Sequence, residues 1–170
     1  MPPISVVIAD REKACRAACL RLLQPEKRVQ VVAEARSSME VIAAAVMFKP
    51  RILLLDLSLS REKGVALLPA LRQKSPRTKV ILLIGRASEA RILEALSHGV
   101  QGYLEKKVLR AFLPKAVRVV DAGEAWVPRE MVPKIIDRLA RLTFREERWR
   151  WRVGLRSVRP RSNRLRLVKA

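Results

Sequence analysis

The sequence predicts an α/β fold: a doubly wound five-stranded parallel sheet, followed by a C-terminal helix and a basic tail. Three observations predict it. Short apolar runs alternate with stretches of helical period five times between residues 4 and 121. Hydrophobic residues make up 49% of the 170 while aromatics make up only 4%, so the core must be aliphatic. Such a core suits a sheet buried on both faces. Finally, the residues able to do chemistry cluster at or just past the ends of the apolar runs, where ligands bind in open α/β sheets.

The first strand reads Ile4-Ser-Val-Val-Ile-Ala9 and stops at Asp10. Apolar positions at Cys15, Cys19, Leu22 and Leu23 predict a helix over 11–24, ended by Pro25. Val29-Gln-Val-Val-Ala33 is a second strand. Ser37 or Ser38 caps the next helix, which carries Val41, Ile42, Ala45 and Val46 and ends before Pro50. Ile52-Leu-Leu-Leu55 is an entirely apolar third strand ending at Asp56. A helix follows over roughly 65–74, then a fourth strand, Lys79 to Ile84. Ser88 caps a helix to about Ser97, with Gly99 placed to terminate it. A short strand over 100–104 and a helix over 109–121 complete the five units. Pro69 and Pro114 lie inside two of these helices, either near a first turn or at a kink. An amphipathic helix is expected over 129–141, with Met131, Ile135, Ile136 and Leu139 on one side.

The net charge of +20 favours polyanionic partners and says nothing of the fold. Residues 142–170 hold ten Lys or Arg against two Glu. From about Gly154 the chain loses periodicity and reads as poorly ordered. Cys15 and Cys19, four apart, share a helix face and read as small core residues in a reducing compartment; half of a metal site is the alternative. The opening residues do not read as a leader, and no apolar run reaches spanning length, so the expectation is a cytoplasmic protein without membrane partners. His98, beside Gly99, reads as a surface cap.

Asp56 stands where a nucleophile would stand, because no helix follows it at once for it to cap. Phosphorylating a carboxylate requires an aligned donor and neutralised charge, usually through magnesium held by carboxylates, with a lysine to balance the product. Asp10 is a metal-ligand candidate or an N-cap, and Lys106 is within reach of the same strand ends.

Three stretches carry a resemblance: Val6-Val-Ile-Ala-Asp10, Leu53-Leu-Leu-Asp56-Leu-Ser-Leu, and Gly102-Tyr-Leu-Glu-Lys106. They resemble the receiver domains of two-component response regulators. The run Val119 to Glu130 is similar to the end of NarL/FixJ-type receivers, so the resemblance covers 4 to about 141. It implies a flavodoxin-like sheet of order 2-1-3-4-5, a phosphoacceptor at Asp56, a first metal acid at Asp10, a phosphate-site lysine at Lys106 and switch positions at Ile84 and Tyr103. It also implies Mg2+, a histidine kinase or other regulator as partner, a homodimer, and an output in transcriptional regulation.

Four residues depart from that pattern. Arg11 replaces the second acid, Ile84 replaces the hydroxyl after the fourth strand, Ser60 replaces a proline, and Lys63 replaces an acid near Gly64. A unit-charge pair at about 4 Å is worth roughly 4 kcal/mol at an effective dielectric of about 20. Exchanging an acid for arginine shifts the site by two charges against a divalent cation, and losing the hydroxyl costs about 1–2 kcal/mol more. The expectation is weak or absent Mg2+ binding and little phosphorylation of Asp56. Either Arg11 or Lys106 pairs with Asp56 in place of the metal, or Arg11 points to solvent.

The resemblance divides the chain into a receiver domain (1–122), a linker helix (123–141) and a tail (142–170). Leu142-Thr-Phe-Arg-Glu-Glu147 resembles the start of a LuxR-type helix-turn-helix, but too few residues follow for a complete DNA reader. Arg145, Arg148, Trp149, Arg150, Trp151 and Arg152 offer phosphate contacts and stacking surfaces for non-specific DNA or other nucleic acid. An enzyme is disfavoured, since no phosphate-binding glycine motif, metal cluster or nucleophile elbow is visible.

Overall fold

The structure is a computed structural model describing residues 2–59 and 67–152, with side chains described through Thr143. Its elements, in order, are β1 (Ile4–Ala9), α1 (Lys13–Leu23), β2 (Val29–Ala35), α2 (Ser38–Phe48), β3 (Ile52–Asp56), α3 (Leu67–Lys74), β4 (Lys79–Ile84), α4 (Glu89–Ser97), β5 (Gly102–Glu105), α5 (Leu109–Asp121) and α6 (Val132–Arg152). Short 3-10 turns at Lys106–Val108 and Arg129–Met131 lead into α5 and α6. The five strands are all parallel, in the order β2-β1-β3-β4-β5. This is the expected sheet.

Strand alternation divides the core into two layers. Val7, Leu53, Leu55, Leu82 and Tyr103 face one cluster, closed by Val41 and Ala45 of α2, Leu68 and Leu71 of α3 and Ala95 of α4. Val6, Ile8, Ile52, Leu54, Ile81, Leu83 and Leu104 face the other, closed by Cys19 and Leu23 of α1 and Leu113, Val117 and Val120 of α5. Every residue of β3 is buried, which explains its unbroken apolar sequence.

Local differences from expectation have physical causes. Asp10 does not cap α1: the N-cap is Glu12, and the Asp10 carboxylate instead accepts the Glu12 backbone N–H at 2.8 Å. Of the two serines before α2, Ser37 is the cap, accepting from the Glu40 N–H at 3.3 Å. Ser88 holds the N-cap position of α4 without a side-chain bond. The last short strand starts at Gly102, two residues late, because Gly99 turns the chain at φ +84°. Pro114 lies well inside α5, which runs from Leu109 to Asp121. Helix α6 runs without a break past 141 to Arg152, longer than the predicted 129–141. Its start is tied to the body: Met131 is buried in the first core layer, Ile135 packs on it, and Lys134 pairs with Glu89 of α4.

Trp126 adds a one-residue parallel bridge beside Gly102. Its N–H donates to the Gln101 carbonyl and its own carbonyl accepts the Tyr103 N–H, both at 3.0 Å. A Cβ on Gly102 would stand 2.5 Å from the Trp126 carbonyl oxygen and 3.0 Å from its nitrogen. Gly102→Ala should therefore push the 124–127 segment off β5 and lower unfolding stability by about 1–3 kcal/mol in urea titrations.

Candidate functional site

Parallel strands deliver their carboxyl ends to one edge, and the order β1-β3-β4-β5 fixes what meets there. Ala9 pairs with Leu55, so Asp10 and Asp56 emerge side by side from neighbouring strands. Both are buried: Asp10 is 0% exposed and Asp56 2%. Lys106, just beyond β5, reaches across to them. Its Nζ stands 2.8 Å from Asp10 Oδ2 and 3.1 Å from Asp56 Oδ2. The contact to Asp56 is a directed hydrogen bond. Asp10 Oδ2 accepts no well-directed hydrogen bond, so there the ammonium acts as a charge at contact distance. Glu12 approaches the same ammonium from the exposed rim, at 4.0 Å.

The Asp56 carboxylate accepts three hydrogen bonds. Oδ1 accepts the Ser58 N–H at 2.9 Å, and Oδ2 accepts the Ser58 hydroxyl at 2.8 Å as well as Lys106. Ser58 lies two residues beyond the acceptor and was not singled out in the sequence. Arg16, also unremarked, braces the β1–α1 turn. It donates to the backbone carbonyls of Asp10 and Arg11 at 2.8 and 3.2 Å and pairs with Glu34 at 2.9 Å.

Arg11 corrects one expectation. It does not pair with Asp56, nor does it stand free: the exposed side chain donates from Nη2 to the Leu59 carbonyl at 3.2 Å. It ties the β1–α1 turn to the loop after β3 and leaves the carboxylates to Lys106. Ile84 is buried at the end of β4, and Tyr103 is buried in the same apolar cluster. Burial, aided by the nearby acids, raises the Tyr103 pKa above its ordinary value. Ser60, Lys63 and Gly64 lie outside the described residues, as do the side chains of Arg145, Arg148, Trp149, Arg150, Trp151 and Arg152 and the chain beyond Arg152.

The two cysteines are free thiols, Cys19 buried and Cys15 half-buried. Burial by itself would raise the Asp10 pKa. The hydrogen bond from the Glu12 backbone, together with the Cys15 thiol and the Lys106 ammonium beside it, outweighs burial and holds the carboxyl below its ordinary 3.8. The Cys15 thiol is pushed well up by its hydrogen bond with Cys19, by burial and by Asp10. Burial would lower Lys106, but Asp10 and Asp56 together hold it well above its ordinary 10.5. His98 is the exposed C-cap of α4.

A divalent ion needs several oxygen ligands with charge to spare. Here the inner oxygens of both buried acids already face an ammonium, and the residue after Asp10 is an arginine that offers no oxygen ligand. The residues present fit Mg2+ poorly. Among the described residues, no group of three His, Cys, Asp or Glu is arranged to hold a metal.

Fold and site define a receiver-type α/β module: a parallel sheet of order 2-1-3-4-5 presenting a buried aspartate and a lysine at its carboxyl edge. A family profile described as the response regulator receiver domain matches residues 6–118. The chain belongs to that family. The transcriptional regulatory protein LnrK of Bacillus subtilis (strain 168) is 30% identical over 134 residues, 79% of this chain and 61% of that protein. The transcriptional regulatory protein DegU of Brevibacillus brevis is 27% identical over 155 residues, 91% of this chain and 66% of that protein. The chain thus spans between 61% and 66% of the length of these relatives. The receiver domain of the putative response regulator NarL from Mycobacterium tuberculosis superposes with a TM-score of 0.68 at 27% identity, covering 73% of this chain and all of that one. A LuxR-family response regulator from Aurantimonas sp. SI85-9A1, 22% identical with a TM-score of 0.71, covers 81% of this chain and 99% of its own and matches in fold.

Lys106→Met should leave two buried carboxylates without a counter-ion and destabilise the domain by about 3–5 kcal/mol at neutral pH. In wild type the sign follows from the two shifts. The Asp10 contribution is present above pH 3.8 and is lost as pH falls through its lowered folded value; the Lys106 contribution is present below pH 10.5 and is lost as pH rises through its raised one. Urea midpoints across pH should therefore show the variant's deficit to be widest between these limits. The deficit should narrow in acid, as Asp10 protonates.

Proposed function

We propose that this chain is an atypical receiver of two-component signal transduction, working in transcriptional regulation, in which Asp56 is poorly phosphorylated or not phosphorylated at all. The domain acts through protein contacts. One observation carries the reading: the Lys106 ammonium lies against both Asp10 and Asp56, at 2.8 and 3.1 Å, while Ser58 donates two further hydrogen bonds to Asp56. A carboxylate so engaged is a poor nucleophile, and the arginine at position 11 opposes the cation that would activate a donor. Mg2+ binds weakly or not at all. The site is an ion pair that holds the strand ends in a single state.

In this reading residues 1–122 are the receiver, 123–141 a linker helix, and 142–170 a basic segment whose start resembles that of a helix-turn-helix domain. The partners are a histidine kinase or another regulator, and a second copy of the chain. Relatives named as transcriptional regulators support the transcriptional context, and the solved structure of two RcsB dimers bound to two parallel DNAs shows that a protein of this fold can work as a dimer on DNA. No helix among the described residues is long and apolar enough to cross a membrane; the site of action in this proposal is the cytoplasm, without membrane partners. The charge of residues 142–170 favours a second role, sequence-independent nucleic-acid binding through Arg145, Arg148, Trp149, Arg150, Trp151 and Arg152.

Incubation with a small acyl phosphate and Mg2+, followed by intact-protein mass spectrometry, should show no stoichiometric phosphoryl adduct. Arg11→Asp should raise Mg2+ affinity at least tenfold, read by titration calorimetry, and permit partial labelling. A full adduct on wild-type Asp56 would overturn the reading.

A further inference from the structure

Helix α2 is apolar beyond the face that it buries. Val41, Ala44 and Ala45 enter the first core layer. On its outer side Met39, Ala43, Val46 and Met47 are all exposed, and spacings of three and four residues put them on one stripe. The two methionines are 83% and 75% exposed, where a surface helix ordinarily carries charged or polar residues. Charge sets the same helix apart. Every other α-helix among the described residues carries Lys or Arg, while α2 carries neither. Its one charged residue, Glu40, pairs with Arg36. The exposed apolar stripe of α6, by contrast, is interleaved with Lys134, Arg138 and Arg141.

We propose that α2 is a self-association surface, on which a second copy of this chain docks antiparallel about a two-fold axis through Ala43. The proposal rests on the reading above that names a second copy as a partner, and it places that copy. Two features select this occupant. The stripe is symmetric: Met39 and Met47 lie one turn to either side of Ala43, so the axis sets Met39 of each copy against Met47 of the other. The small Ala43 lets the two helices approach closely at the crossing, and the flexible thioethers fill the space beside it. The charge also fits. Two chains of net charge +20 repel one another at any basic face, and the α2 stripe is where that repulsion is least. Antiparallel packing draws Glu40, in the first turn of one copy, toward Lys49 at the C-cap of the other. A standard interface takes about 800 Å² from each partner. One short helix face supplies less, so the pairing is weak and reversible. With Asp56 held in one state, it needs no phosphorylation.

The test is sedimentation velocity on the nuclease-treated full chain, from low to high micromolar concentration. A reversible passage from monomer to dimer is expected. It should strengthen as salt is raised, because salt screens the repulsion between like-charged chains. Ala43→Glu and Met47→Glu, both at exposed positions, should each weaken dimerisation at least tenfold while leaving the circular dichroism spectrum and Tm unchanged. Leu139→Glu, on the exposed stripe of α6, should leave it within twofold. Ala43→Cys with a short thiol–thiol cross-linker should be captured as a covalent dimer above the wild-type background, since the axis brings that position against itself; Leu139→Cys should not. A chain that stays monomeric overturns both the α2 surface and the second copy named above. A dimer that resists Ala43→Glu and Met47→Glu overturns the α2 surface alone. A dimer lost in high salt is bridged by nucleic acid and overturns it as well. Whether Asp56 accepts a phosphoryl group is read separately by mass, so the failure of that reading is distinguishable from each of these.

Discussion

The carboxyl edge of this domain is organised around one ammonium. Asp10 and Asp56 are almost fully withdrawn from water on adjacent strands, and the lysine beyond β5 is the group that makes their joint ionisation tolerable. Burial works against the charge on Asp10 and on Lys106. Contact between them reverses that, lowering Asp10 and raising Lys106. Because the three residues arrive from β1, β3 and β5, the same contact also locks the relative positions of those strand ends, with β4 between them.

That arrangement bears on how the fold accommodates an arginine next to Asp10. An arginine thrust into the carboxylates would compete with Lys106 for the same oxygens. Arg11 instead turns to the Leu59 carbonyl, where a guanidinium satisfies a backbone acceptor and braces a loop. At the end of β4 the aliphatic Ile84 joins the buried cluster that contains Tyr103.

The C-terminal helix has a similar double character. Its first turns belong to the domain, through buried Met131, the packing of Ile135 and the pairing of Lys134 with α4. Val132, Ile136 and Leu139 remain exposed along the same helix, so its docking leaves an apolar stripe uncovered. The helix passes the point where the sequence begins to resemble a DNA reader, and no break in backbone marks that boundary.

The sheet was legible in the sequence because strand burial is a one-dimensional signal: Ile52 to Leu55 can be apolar without interruption only if both faces are covered, and they are. The acids at strand ends were legible for the same reason, since each apolar run announces where it stops. Partner choice was not legible. Whether Arg11 or Lys106 meets Asp56 depends on side-chain reach across strands 50 residues apart in the chain, and only the folded register decides it. Likewise, nothing in the spacing of Ser58, Arg86 and Arg91 reveals that they share one cleft, because β3, β4 and α4 bring them together only after the sheet has closed. Local pattern determined which residues form strands and where they end. Tertiary packing determined which charges face each other, because electrostatic pairing acts through space and not along the chain.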